Sequence, residues 1–307
     1  MKYIEEQRKK AIRIRDEFFR DPGQGSYKNS DREFVLKNPL LNIWDGIRED
    51  VLHYFGKNEI QFWDAGKIPT GHLLSSQIAC INHLYFLRQR KDAATAVLKG
   101  IDPDIKTAME LENGFVEFEV IGKKNYLGEI SHRRGANSTS VDAVMLAEMN
   151  DNSRKLVFIE WKYVESYGKE SKAAGESGKT RQRIYNSFLD FNNHNCLFKL
   201  CSIDGLFTEP YYQLMRQTVL AQKMVDAKEY GVSDYIHLHI IPKGNKELKD
   251  VNTAVNRLTG TTLENTWKNI LKAPDKYIVV DPKDFLTPAK NCPDTLAIFT
   301  YLQKRYW

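Results

Sequence analysis

Ser-Thr-Ser-Val-Asp-Ala-Val-Met-Leu-Ala-Glu-Met-Asn-Asp-Asn-Ser-Arg-Lys-Leu-Val-Phe-Ile-Glu-Trp-Lys-Tyr, residues 138 to 163, reads as two strands joined by a polar turn. Val141, Val144, Met145 and Leu146 make the first strand apolar, and Leu156 to Ile159 do the same for the second. Met149 to Ser153 between them is turn chemistry. Three charges interrupt these runs: Asp142 in the first, Glu160 and Lys162 in the second. Side chains alternate along a strand, so Glu160 and Lys162 share a face, and a hairpin brings Asp142 beside them. A plain reading makes them the wet face of an edge strand. Within apolar runs, however, an unpaired charge is expensive. Two carboxylates and an ammonium converging there can satisfy one another or hold a metal.

Asp142 followed by Glu160-Trp161-Lys162 on a hydrophobic strand resembles the active-site motif of the PD-(D/E)XK nuclease superfamily. Val141 stands where many members carry Pro. Arg133-Arg134-Gly135 and Ser138 resemble the basic approach to the motif in archaeal Holliday-junction-resolvase-like members. The whole chain is similar to a restriction-endonuclease-like bacterial branch. The motif resemblance covers about residues 72 to 242.

The resemblance implies a Mg²⁺-dependent phosphodiesterase, with Mn²⁺ able to substitute. A phosphodiester repels hydroxide and builds charge on its leaving oxygen, and a hard divalent cation answers both problems. Mg²⁺ takes oxygen ligands, here the Asp142 and Glu160 carboxylates and the Trp161 carbonyl. Lys162 is expected to position the attacking water or stabilise the pentavalent charge. Many members also carry a Glu on the first core helix. Gln77 or Asn82 stands there instead, either orienting a metal-bound water or serving as a core amide. Glu129 is open to two readings, an additional acidic group at the site or a loop salt bridge with Arg133 or Arg134.

The chain has 307 residues, enough for two domains or one elaborated α/β domain. Its net charge of +5 permits a polyanion partner without demanding one. No apolar run is long enough for a membrane span and no signal-peptide core is legible at the N-terminus, so a cytoplasmic location is expected. Cys80, Cys196, Cys201 and Cys292 have neither zinc-ribbon nor redox spacing and read as reduced thiols. His237 and His239 share a strand face, as a metal pair would, but with no third ligand nearby in sequence they read as partly buried, hydrogen-bonded histidines. The absence of a Walker-type loop or Gly-x-Gly-x-x-Gly leaves nucleotide hydrolysis and dinucleotide binding unsupported.

Apolar spacing predicts helices over 2–20, 39–55, 72–90 and 92–112, a strand over 114–121, a helix over 210–230 and a strand over 234–241. Further elements are expected near 262–271, 276–280 and 294–305. The small, polar stretch 165–179 reads as a loop, and a cation-rich helix is expected from Thr180. Lys169, Lys172, Lys179, Arg181 and Arg183, with Arg133 and Arg134, are candidate phosphate contacts; a plain connector is the other reading of the loop. The expected architecture is α/β, a restriction-endonuclease-like αβββαβ core with a mixed central sheet flanked by helices. Residues 71–245 form that core, 1–70 an N-terminal helical extension and 246–307 a C-terminal α/β extension packed on it. The expected activity is metal-dependent cleavage of nucleic acid, taken to be DNA, in restriction or recombination-repair. The rival is a catalytically idle nucleic-acid-binding or scaffolding protein. Double-strand cleavage would call for a homodimer or a second site.

Overall fold

The computed structural model describes residues 2–63, 66–134, 138–168, 171–250 and 262–307. Helix α1 (Tyr3–Ile14) passes through a π turn to Phe19, where Arg20 turns left-handed. A small hairpin that the sequence reading missed follows, β1 (Gly25–Tyr27) and β2 (Ser30–Arg32). Its two turn residues, Lys28 and Asn29, both have positive φ, the backbone twist that suits a two-residue hairpin loop. The helix expected over 39–55 is a 3₁₀ turn at Pro39–Asn42 and then α2 (Arg48–Lys57). Helix α3 (Ser76–Leu84) starts where the Ser75 side chain accepts the Ile78 N–H, and continues as a 3₁₀ turn to Gln89.

The helix expected over 92–112 is corrected. α4 (Lys91–Ile101) stops before Asp102-Pro103, and β3 (Ile105–Met109) follows as a strand. Pro103 removes a backbone donor and disfavours helix at the residue before it. Next come β4 (Glu117–Val120), β5 (Val141–Met149) and β6 (Arg154–Trp161), the last two being the hairpin of the quoted stretch. Helix α5 (Gly175–Tyr185) begins five residues earlier than expected, inside the glycine-rich stretch. α6 (Ile203–Leu206), α7 (Tyr211–Asp226), β7 (Asp234–Ile240) and β8 (Tyr277–Val280) complete the frame. Helices at Leu263–Ile270 and Leu296–Arg305 flank β8 in sequence.

Six strands form one mixed sheet in the order β3-β5-β6-β7-β8, with β4 also paired to β5. β3, β4 and β6 run antiparallel to β5, whereas β6, β7 and β8 run parallel. The parallel step from β6 to β7 needs a crossover, and the segment containing α5, α6 and α7 supplies it. The fold is therefore the expected mixed α/β sheet flanked by helices, of restriction-endonuclease-like form. Alternation along the strands divides the core into two layers. Ala143, Met145, Val157, Ile159 and Trp161 join α3 and α4 residues such as Ile78 and Val97. Val144, Leu146, Leu156 and Phe158 join α7 residues such as Leu214 and Met215. The first layer also receives Leu36, Ile43 and Phe55 from the N-terminal part, and Phe285 and Leu302 from the C-terminal part. Among the described residues, no helix is long and apolar enough to cross a membrane.

Candidate active site

Strand register places the acids. In the β5–β6 pair Ala143 faces Ile159, so one step further Asp142 lies across from Glu160. On the other side, Phe118 faces Ala143 and Val120 faces Val141, which puts Glu119 of β4 across from Asp142. In the parallel β6–β7 pair Glu160 faces His239. Glu119, Asp142, Glu160 and His239 thus form one rung across four neighbouring strands. Glu119 adopts a left-handed backbone, φ 50°, inside β4. For a residue with a Cβ this is uncommon and costs about 1 kcal/mol or more. The turn interrupts the β4 ladder at that acid.

Each acid has a defined set of partners. Glu160 is 2% exposed and accepts from Lys162 Nζ at 2.5 Å and from Gln217 Nε2 at 2.5 Å. Lys162, 5% exposed, also donates to Gln213 Oε1 at 2.7 Å. Gln213 and Gln217 are four residues apart on α7, so both amides reach down from one helix face. Gln217 ties in the start of β5 as well, donating to the Ser140 carbonyl at 3.0 Å. Asp142, half-buried, accepts the Trp161 main-chain N–H at 2.7 Å. Glu119 accepts from Gln77 Nε2 at 2.9 Å and from Ser140 Oγ at 3.1 Å. Gln77 in turn donates to the Gln61 carbonyl and accepts the Trp63 N–H at 2.8 Å.

The electrostatics follow from three carboxylates sharing one ammonium. Burial, then Glu160 and Glu119, push the Asp142 carboxyl well above its usual range; Lys162 and the Trp161 N–H offset this only in part. Burial also raises Glu119, with Glu160 adding to it and the Gln77 and Ser140 hydrogen bonds opposing. Burial alone would lower the Lys162 ammonium. The surrounding Glu160, Tyr167, Glu165 and Asp142 reverse that and hold it well above the usual value. At the far end of the rung, burial and then Lys162 and His237 keep His239 neutral, with its Nδ1 2.8 Å from the Tyr277 hydroxyl. His237 Nδ1 lies 3.3 Å from Thr218 Oγ1, so this pair is hydrogen-bonded as expected and more deeply buried than the sequence suggests.

A family model described as Restriction Endonuclease associating with ARP matches residues 8–307, nearly the whole chain. The chain belongs to this family. No curated protein and no solved structure matches it at a significant level. The fold and the family together make this member restriction-endonuclease-like from end to end.

The remaining candidates are placed less centrally in this restriction-endonuclease-family chain. Glu129 accepts from the Thr139 N–H at 2.7 Å and Oγ1 at 2.5 Å, and from the Tyr185 hydroxyl; Arg216 stands 4.0 Å away. Its charge partner is thus Arg216 on α7, and Thr139 links it through the chain to Ser140. Asn82 is fully buried and holds the Trp44 N–H, the Asn42 carbonyl and the Tyr306 hydroxyl together. Arg134 is half-buried, with Glu119 within its electrostatic reach, and Arg133 is exposed. Arg181 donates to the Lys172 carbonyl at 3.0 Å and Lys179 pairs with Glu176 on the surface. Arg183 is exposed, and Lys169 lies outside the described residues.

Among the described residues, no group of three or more His, Cys, Asp or Glu side chains is already placed to hold a metal ion. The donor chemistry nonetheless suits a hard divalent cation. When ionised, Glu119, Asp142 and Glu160 outnumber the one ammonium of Lys162, and Gln217 Oε1 is buried without a hydrogen-bond partner among the described residues. Sequence reasoning missed Glu119, Gln213 and Gln217 as site residues. The first lies in the strand expected over 114–121, where it alternates in phase with Glu117. The two amides, four apart on one face of α7, were the legible signal.

Proposed function

We propose that this protein is a metal-dependent nuclease of PD-(D/E)XK type that hydrolyses phosphodiester bonds, with DNA as the expected substrate. The observation that carries the reading is the rung itself: three carboxylates on adjacent strands, one of them bonded to a buried lysine two residues along. Asp142 and Glu160, with the Trp161 carbonyl and now Glu119, are the groups that would hold Mg²⁺ or Mn²⁺. Such a cation would neutralise the phosphate and make a water more acidic. Lys162 keeps its proton and brings a fixed positive charge to where a pentavalent phosphate gathers negative charge. Gln213 fixes the Lys162 head, and Gln217 fixes the Glu160 head and the start of β5, so neither needs to reorganise during reaction.

The family's description also names association with ARP, and a partner of that kind belongs to the same proposal, as does a homodimer for double-strand cleavage. The test is Mg²⁺- and Mn²⁺-dependent cleavage of supercoiled plasmid, linear duplex, single-stranded DNA, branched DNA and RNA. Lys162→Ala runs beside the wild-type protein. Cleavage by wild type and none by the variant is expected. Equal activity of the two would take Lys162 out of the mechanism. Tight metal-independent DNA binding with no cleavage of any substrate would favour the idle scaffold.

A further inference from the structure

The cleft that exposes the acids is not lined by acids alone. Asp142, Glu119 and Gln77 open into a cavity of ≈ 770 Å³ whose other wall is aromatic: Tyr27, Phe34, Trp63 and His72. The rings contact one another, Tyr27 to His72 at 4.6 Å, Phe34 to His72 at 5.1 Å and Tyr27 to Trp63 at 5.7 Å between centroids. Trp63 is 47% exposed, an unusual state for the largest apolar side chain. Two exposed cations stand by the same wall. Arg8 lies over the Phe34 ring and Lys28 over the Tyr27 ring, each 5.3 Å from the centroid, which leaves Trp63 as the exposed ring, and both cations line the cavity.

The wall is built, and it is built against the acids. The Lys28-Asn29 turn directs Tyr27, and Gly25 and Gly71 allow the hairpin and the following chain to close on Leu36. A Cβ at either position would lie 2.3 Å or 2.5 Å from the Leu36 carbonyl oxygen. The isolated bridge between Val35 and His72 completes this seat. Gln77 then joins wall to rung, with one end of its amide on the Trp63 N–H and the other on Glu119.

We infer that this wall is a stacking platform for an unpaired nucleobase, so that the strand presented to the acid rung is single-stranded or locally unpaired. The identity of the strand as nucleic acid rests on the nuclease reading above. In a duplex each base face is covered by its neighbours, and an aromatic wall of this kind has nothing to stack on. An unpaired base offers a free π-face of any sequence, while Arg8 and Lys28 meet the flanking phosphates. Phosphate contact alone would call only for the cations. Base-edge reading would call for directed donors and acceptors on the wall. Gln61, Ser75 and Ser76 also line the cavity, but its exposed aromatic element is the Trp63 ring, set edge-on to His72.

The test is binding in EDTA, read by tryptophan fluorescence and by anisotropy of labelled probes: a single-stranded 12-mer and its blunt duplex. Wild type is expected to bind the single strand more tightly, with quenching of Trp63. Trp63→Ala is expected to lose about 5- to 150-fold in single-strand affinity, the worth of about one stacked base, with little change for duplex. Trp63→Phe, which keeps a ring, should retain most of the affinity, a result that a merely structural defect would not give. Equal single-strand binding by wild type and Trp63→Ala, a wild-type preference for the duplex, or no binding of either probe would each overturn the inference. Single-strand binding that depends on Trp63 in a protein that cuts nothing would leave the platform standing and remove the nuclease reading.

Discussion

Replacing Asp142 by Asn should make the metal-free protein more stable, not less. Asp142 sits between Glu119 and Glu160, one on each neighbouring strand. Residues directly opposite in an antiparallel pair have Cβ atoms roughly 5 Å apart. At that separation, with an effective dielectric of about 20, two like charges repel by about 3 kcal/mol. Asp142 faces two such neighbours and Lys162 offsets roughly one of them. The Trp161 N–H keeps its acceptor, because an Asn carbonyl oxygen serves as well. The net gain at pH 8 should therefore be about 1–3 kcal/mol.

The pH dependence fixes the sign independently. A carboxyl raised above its unfolded value, as Asp142 is, favours folding fully below the unfolded value of about 4 and loses that contribution as pH rises. The advantage of Asn should thus be near zero at pH 4 and grow toward pH 8. Urea denaturation in EDTA at a series of pH values measures it. Added Mg²⁺ should close the gap, since a ligand that binds only the folded wild type adds about 2.7 kcal/mol at 100 times its Kd. A variant less stable than wild type at pH 8 in EDTA, or a difference that does not change with pH, would refute the reasoning.

Two further perturbations act away from the rung. Gly71→Ala places a Cβ 2.5 Å from the Leu36 carbonyl oxygen, so the wall's seat must shift; a loss of about 1–3 kcal/mol in urea denaturation is expected, with weaker single-strand binding. Asp21 accepts main-chain N–H groups from Gly23, Lys37 and Asn38; burial alone would raise its carboxyl, but these donors and Arg15 hold it below its usual value. Asp21→Ala should cost about 1–3 kcal/mol near neutral pH. That difference should shrink as pH falls from about 4 through the depressed folded value, because wild type then loses the same contribution. A gap constant from pH 7 to pH 3 would show that the carboxylate charge is not the cause.

What was legible in the sequence follows from how local each signal is. The β5–β6 hairpin could be read because apolar runs, turn residues and misplaced charges all lie within 26 consecutive residues, 138 to 163. β3 could not. Its Ile-Lys-Thr-Ala-Met is neutral between helix and strand, and pairing with the far half of β5 decides it. Pro103 was the available breaker, and the preceding helical pattern masked it. Glu119 has no local signal at all. It enters the site only because the β4–β5 register sets it opposite Asp142, and register is a property of two strands. The aromatic wall is more scattered still, since Tyr27 ends β1, His72 bridges to Val35 and Trp63 is tied to Gln77, and only the folded chain brings them together.

The cost of the rung bears on the choice between an enzyme and an idle fold. A buried ion pair is weak evidence for stability, because well-packed apolar residues of similar volume are often as good or better. A sheet kept only as a scaffold could exchange Glu160 and Lys162 for Leu or Met and lose little. It could also straighten the left-handed backbone at Glu119, which favours no ladder bond. Instead the chain keeps three mutually repelling carboxylates and a lysine in place, and adds two α7 amides to hold the Glu160 and Lys162 heads. Groups held rigidly at a local loss of stability are what a reacting phosphate needs, since charge that is already oriented requires no reorganisation when the transition state forms. On the proposed nuclease reading, Asp142→Asn should separate the two properties, raising stability while removing activity.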